Sequence, residues 1–206
     1  LIVEDETKDS VVSMKLSAPG DTDGPIEDIP LPAGFYLKDM EGITMDRRGF
    51  VYVVSSHSLN TAGTPRRGSA LARMKWIEPG RLVDAETIAD LRPWLESEIP
   101  EIARVKDLSA DDGGLNIEGL AYDPEKDRLL LGLRGPLFGD HPAVVPIRLK
   151  SPGGAFRRDH LELERPIVLK GIVNFGIRSI LYALSRFSGL SSAAPHVRRR
   201  DSRNRT

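Results

Sequence analysis

Two short segments place a carboxylate directly before a glycine on what reads as a strand. They are Asp39-Met40-Glu41-Gly42-Ile43 and Asn116-Ile117-Glu118-Gly119-Leu120. A third and weaker copy, Gly176-Ile177-Arg178-Ser179-Ile180, sets Arg178 at the position of the two glutamates. Asp39, Asn116 and Gly176 fall two residues earlier, and period two on a strand puts both members of each pair on one face. Carboxylates joined by an amide oxygen form a hard-cation ligand set, so Glu41, Asn116 and Glu118 are candidate ligands for calcium or magnesium. Two neighbouring carboxylates can also divide into acid and base roles, which makes Glu41 and Glu118 candidate catalytic residues. An arginine beside them is suited to hold an anionic group by bidentate contact. The plain alternative is that each acid only accepts hydrogen bonds from neighbouring backbone.

His57 lies in Ser55-Ser56-His57-Ser58, just past a strand end, where an imidazole could serve as a base. A hydrogen-bonded loop histidine is the competing reading. No Gly-x-Ser-x-Gly elbow accompanies it, so a serine hydrolase triad is not supported. Arg134 ends the strand that follows the central motif and is a second candidate for ligand binding. His141, His160 and His196 have no metal-ligand spacing. Gly113-Gly114 has no helix after it and reads as a tight turn rather than a phosphate cradle.

The elements that must position these residues are mostly short strands. Period-two alternation and turn residues predict strands at 1–3, 11–16, 40–45, 50–55, 70–77, 81–88, 117–122, 128–133, 143–149, 161–169 and 177–182. Residues 17–38, rich in Pro, Gly and Asp, read as a long surface connection. One short helix is expected within 90–104, with Asp90 as a cap, Pro93 in the first turn, and Trp94, Leu95 and Ile99 on one face. Hairpins at this spacing indicate an all-β sandwich, barrel or propeller.

The internal repeat favours the propeller. Glu41 and Glu118 are 77 residues apart, and Glu118 and Arg178 are 60 apart, as for blades of about 40–50 residues carrying inserts. Each copy suits the innermost strand of a blade, so Glu41, Asn116, Glu118 and Arg178 would meet at a channel mouth. A full ring needs far more chain, so about three to four blades of a larger propeller are expected in residues 1–182.

Composition bounds the remaining choices. Hydrophobic content of 40% and charged content of 29% are globular values. Absence of cysteine removes disulfides and thiolate metal sites. No apolar run is long enough to span a bilayer as a helix. No signal peptide is visible; the chain opens at Leu1 inside an apparent strand, so its true N-terminus is expected to lie upstream and the compartment stays open. Six of the 29 basic residues but one of the 30 acids lie in 183–206, so residues 1–182 carry a net charge of −6. That acidic body argues against nucleic acid as a main partner.

These motifs, with Ser56-His57-Ser58 and Gly132-Leu133-Arg134-Gly135-Pro136, resemble a bacterial family described as domain of unknown function 3616. The likeness runs over about residues 1–182. Its most specific part is Asn116 to Gly119 with the Arg134-Gly135-Pro136 strand end, where the family often has Arg-Asn-Pro. The resemblance implies a β-propeller with no settled activity, similar to phytase-like and esterase-like propeller domains and more distantly to calcium-dependent lactonase propellers. After Ile180 the family pattern predicts further blade sequence. An Arg- and Ser-rich tail over 183–206 stands there instead, read as a frameshifted or truncated end, or as a native disordered tail.

The reading reached from sequence is a partial propeller with a mouth site of Glu41, Asn116, Glu118 and Arg178, and with His57 and Arg134 farther out. Its expected role is small-molecule binding or hydrolysis of a phosphoester, ester or lactone, with calcium as the candidate cofactor. The alternative is a non-catalytic scaffold presenting a propeller face to a protein partner.

Overall fold

The computed structural model describes residues 1–3, 6–14, 24–77 and 80–182. Two four-stranded antiparallel meanders make up most of the protein. The first runs β3 (Met40–Met45), β4 (Phe50–Ser55), β5 (Leu71–Ile77) and β6 (Arg81–Ile88), in that spatial order. The second runs β7 (Asn116–Asp123), β8 (Arg128–Gly135), β9 (Ala143–Leu149) and β10 (Leu161–Leu163), again in chain order, and β11 (Ile167–Val168) adds to the other end of β9. A hairpin of β1 (Ser10–Met14) and β2 (Ile26–Pro30) forms a separate two-stranded sheet. The protein is all-β, and its two meanders stand as blades of a partial propeller.

The first strands of the blades, β3 and β7, pack on each other. Every residue of β7 is buried, and β4 is buried from Val51 to Ser55. Strands covered on both faces need nearly continuous apolar sequence, as in Phe50-Val51-Tyr52-Val53-Val54 and Leu129-Leu130-Leu131. One core joins the second blade to Tyr52, Val54 and Leu71 of the first and to the inserted helices. A second core lies between the first blade and the β1–β2 hairpin, where Val11 pairs with Ile29.

The blades are also tied by polar contacts. Arg73 on β5 is 4% exposed. It pairs with Glu86 on β6 at 2.5 Å, donates to the carbonyls of Pro152 and Gly154, and lies over the rings of Phe50 and Phe156. At the opposite turns, Arg48 makes two hydrogen bonds to the Asp127 carboxylate, at 2.9 and 3.2 Å. The turns themselves match: Asp46 accepts from the Arg48 backbone N–H as Asp123 accepts from that of Glu125.

Several sequence expectations are corrected. Residues 26–30, expected within a loop, form β2, because β1 offers a partner edge. Ile2 makes only a single bridge to Val12, so 1–3 is not a strand. The helical insert is two elements, α1 (Leu91–Glu98) and α2 (Pro100–Ala103), parted by Ile99 in an extended conformation. Asp90 precedes α1 but makes no side-chain cap. Residues 177–182 do not form a strand; Ile177, Ile180 and Tyr182 pack against Ala121, Leu130 and Val144 of the second blade. The tail from 183 lies outside the described residues.

Candidate functional site

The two Glu-Gly motifs interrupt their ladders at the same place. In the β3–β4 ladder the register jumps between Met40 and Gly42, and in the β7–β8 ladder it jumps between Ile117 and Gly119. Glu41 and Glu118 are therefore the extra residues of matching β-bulges. A bulge re-aims its side chain and ends regular pairing. Here it puts both carboxylates on one cleft of about 490 Å³ at the end of the inner strands.

The glycine after each glutamate has a packing cause. A Cβ on Gly42 would meet the Cβ of Leu120 at 2.7 Å, and one on Gly119 would meet Ile180 Cγ2 at 2.9 Å. Leu120 and Ile180 hold the same place in their own motifs, so each spoke stacks on the next in one repeated manner. The third spoke is anchored by the Ile177 N–H, which donates to the Leu133 carbonyl.

Glu118 is the centre of the charged set and is 8% exposed. Arg134 donates to its Oε1 at 2.8 Å, Asn116 Nδ2 donates to the same oxygen at 3.1 Å, and Arg178 lies 3.7 Å from Oε2. Four residues singled out from sequence, Asn116, Glu118, Arg134 and Arg178, are thus brought together by direct contact. Glu41 lines the same cleft from the first blade. The bond to Glu118 fixes the Asn116 amide, because only its NH₂ can donate to a carboxylate. Its Oδ1 is then left buried with no hydrogen-bond partner.

His57 is placed differently. It is 3% exposed, is not part of the cleft lining, and its Nε2 makes no hydrogen bond. Burial, reinforced by nearby Arg92, pushes its pKa down to about 4, so the ring is neutral near pH 7. Its carbonyl accepts from Arg92 on α1 at 2.6 Å, which pins the loop after β4.

The flanking serines face the cleft instead. The Ser56 hydroxyl bonds to the Asp39 carboxylate, the Ser56 and Ser58 hydroxyls are 3.0 Å apart, and Arg66 lies 3.3 Å from Ser58 Oγ and 3.6 Å from Asp39 Oδ2. Asp39 and His57 both take left-handed φ values, 58° and 55°. Such values are uncommon outside glycine and cluster where a site constrains the chain. From sequence, Ser56 and Ser58 stand out only as neighbours of His57, and Arg66, Asp111 and Asp112 have no assigned role. The paired serines after β4 were the available sign; the others come from loops with no pattern of their own.

Calcium takes six to eight oxygen ligands. Among the described residues no group of three or more His, Cys, Asp or Glu side chains is placed to hold a metal. Arg134 and Arg178 also bring positive charge to the Glu118 carboxylate that would lead such a set. The residues at the mouth do not match a calcium cage.

Blade-like meanders with a polar mouth between their inner strands define an all-β propeller-type protein with a candidate binding cleft. A family model described as Protein of unknown function (DUF3616) matches residues 78–183, half of the chain, and the chain belongs to that family. Asn116, Glu118, Arg134 and Arg178 fall inside the matched stretch; Glu41 and His57 fall before it. No curated protein and no solved structure matches the chain.

Proposed function

We propose that this protein binds a small polar molecule at the mouth between its two blades. The observation that carries the reading is the cleft of about 490 Å³ itself: Glu41 and Ser58 line it from one blade, and the contacting set Asn116, Glu118 and Arg134 lines it from the other. A site assembled from two blades supplies several convergent polar groups on a fixed frame, as recognition of a small ligand requires. Hydrolysis of a bound phosphoester, ester or lactone would use Glu41 and Glu118 as the carboxylate pair.

Thermal denaturation of the whole chain against a panel of polar metabolites, with and without calcium, tests the reading. A ligand at 100 times its Kd stabilises the folded state by about 2.7 kcal/mol, a readily measured shift. The expected result is stabilisation by at least one class of compound, lost in Glu118→Gln. Stabilisation that is unchanged in Glu118→Gln and Arg134→Gln would place the ligand elsewhere. A complete lack of response to small molecules and calcium would favour a scaffold role.

A further inference from the structure

We infer that the groove between the helical insert and the outer strand of the second blade takes an extended peptide with an apolar and a basic side chain. The groove is separate from the mouth, and no residue lines both. It opens as a cleft of about 500 Å³ between the α1–α2 junction and the β10–β11 segment. Past Glu98 and Leu163, which line both, it continues into a second hollow of about 640 Å³ that includes Trp94. A trench of that shape suits an extended chain better than a compact ligand.

The backbone of β10 supplies the means of attachment. β10 is the last strand of its sheet, so only one of its edges is paired. The Lys150 N–H donates to the His160 carbonyl and the Glu164 N–H to the Pro146 carbonyl, which sets the phase of the ladder. Leu161 and Leu163 therefore point their backbone groups away from β9. The Leu161 N–H is taken by the Arg158 carbonyl. Its carbonyl, and the N–H and carbonyl of Leu163, have no backbone partner among the described residues. Strand addition at such an edge is a general mode of peptide binding, in which backbone bonds give affinity and side-chain pockets give selectivity.

The walls of the groove say which side chains fit. In an added antiparallel strand, Leu163 exchanges both bonds with one peptide residue, and the two side chains lie on one face of the sheet. That face is the helix side, since Leu161 and Leu163 pack with Leu95, Ile99 and Ile102. Ile99 and Phe138 line the cleft there and suit an apolar side chain. Glu98 and Glu101 stand on the helix wall of the same cleft, and among the described residues neither forms a salt bridge. Most other charges along the trench are engaged: Glu164 with Arg128 and Arg148, Arg157 with Asp159, and Arg158 over the Trp94 ring. Arg165 belongs to the strand wall and is exposed. The free charge of the helix wall is thus negative. A basic residue two positions from the apolar one, on the same face, complements it.

NMR titration of the full isotope-labelled chain with a blocked pentapeptide, threonine-leucine-threonine-lysine-threonine, tests the inference. Shifts are expected at the Leu161, Leu163 and Glu101 amides, and the Leu163 amide should gain protection from hydrogen exchange. The same peptide methylated on its leucine nitrogen lacks the donor to Leu163 and should bind at least about tenfold more weakly. Glu98→Lys/Glu101→Lys should weaken the lysine peptide by about tenfold and strengthen an analogue with glutamate in place of lysine. Equal binding of the methylated peptide overturns strand addition, and equal binding of the lysine and glutamate peptides to the parent chain overturns the charge assignment. Leucinamide binding as tightly as the pentapeptide would make the groove a small-molecule site and overturn the peptide assignment. Shifts confined to the mouth, or none with any peptide at millimolar concentration, overturn the site itself.

Discussion

Gly42 stands directly against Leu120. A Cβ built on Gly42 would lie 2.7 Å from the Leu120 Cβ and 2.9 Å from its backbone nitrogen. Neither atom can move without shifting β7, whose eight residues are all buried. Gly119 makes the corresponding contact with the third spoke, but the nearest atom there is Ile180 Cγ2, the end of a side chain. Overpacking of this kind costs about 1–3 kcal/mol. Gly42→Ala is therefore expected at the upper end of that range and Gly119→Ala at the lower end in urea denaturation. Adding Ile180→Ala should recover part of the loss in Gly119→Ala and none in Gly42→Ala. Equal recovery in both backgrounds would mean that the spokes do not stack as described.

Arg73 and Arg48 both bridge the blades, yet their worth should differ. Arg73 is buried, and removing it leaves the Pro152 and Gly154 carbonyls without their guanidinium donor. The Glu86 carboxylate it leaves behind is part-exposed, so the loss is mainly that of unpaired acceptors, about 1–3 kcal/mol. Arg73→Ala should lose about that much, and Arg73→Lys should not restore it, since an ammonium cannot reproduce the fork that spans Glu86 and two carbonyls. The Arg48–Asp127 pair is well exposed on both sides, at 39% and 38%. Such pairs contribute roughly 0–1 kcal/mol and weaken with salt. Arg48→Ala should therefore fall within that range, and a larger loss in half-molar salt would contradict the assignment.

Much of this fold was legible in the sequence, for a definite physical reason. β3, β4, β6, β7, β8 and β9 are covered on one or both faces, and burial imposes the period or the apolar run from which strands are read. β2 was not legible because Ile26-Glu27-Asp28-Ile29-Pro30 buries only Ile29; its pairing with β1 decides the conformation. Residues 177–182 have the alternation of a strand but no neighbour with which to form a ladder among the described residues, and they pack as a spoke through Ile177 and Ile180. The same division holds at the mouth. Asn116, Glu118 and Arg178 could be found because the repeat aligns them. The contacts of Arg66 with Asp39 and Ser58 depend on loop geometry, which no periodicity encodes.

The charged set at the mouth should behave cooperatively. Glu118 is nearly buried, whereas Arg134 and Arg178 are 36% and 73% exposed at the side chain. Removing either arginine leaves the carboxylate with Asn116 and one cation, while removing both leaves it with Asn116 alone. Residues sharing a partner couple by about 0.5–3 kcal/mol. The double variant Arg134→Met/Arg178→Met should thus lose more stability than the sum of the single variants. In a Glu118→Gln background the excess should vanish. Additivity in both backgrounds, measured by denaturant titration, would show that Glu118 does not depend on the two cations.

His57 predicts how stability depends on pH. Its pKa is about 4 in the folded protein and 6.5 in an unfolded chain, so between these values the unfolded state binds the extra proton. Stability must then rise with pH across that window and is fully present above about pH 6.5. As pH falls from 6.5 toward 4, His57 alone should account for a loss on the order of 3 kcal/mol, since each pKa unit corresponds to about 1.4 kcal/mol. The paired carboxylates act elsewhere on the scale: the Asp127 and Glu164 pKa values are lowered below the usual carboxylate range, so their stabilisation is lost at more acidic pH. His57→Gln, which keeps a polar side chain that does not titrate, should flatten the curve between pH 6.5 and 4 and leave the steeper acid limb in place. If the variant and the parent lose stability in parallel through that window, the ring is already protonated or exposed in the folded protein. The loop that carries Ser56 and Ser58 to the mouth would then be held by its backbone bonds, from Arg92 to the His57 carbonyl and between Ser56 and both Asp39 and Ile117, and not by the ring.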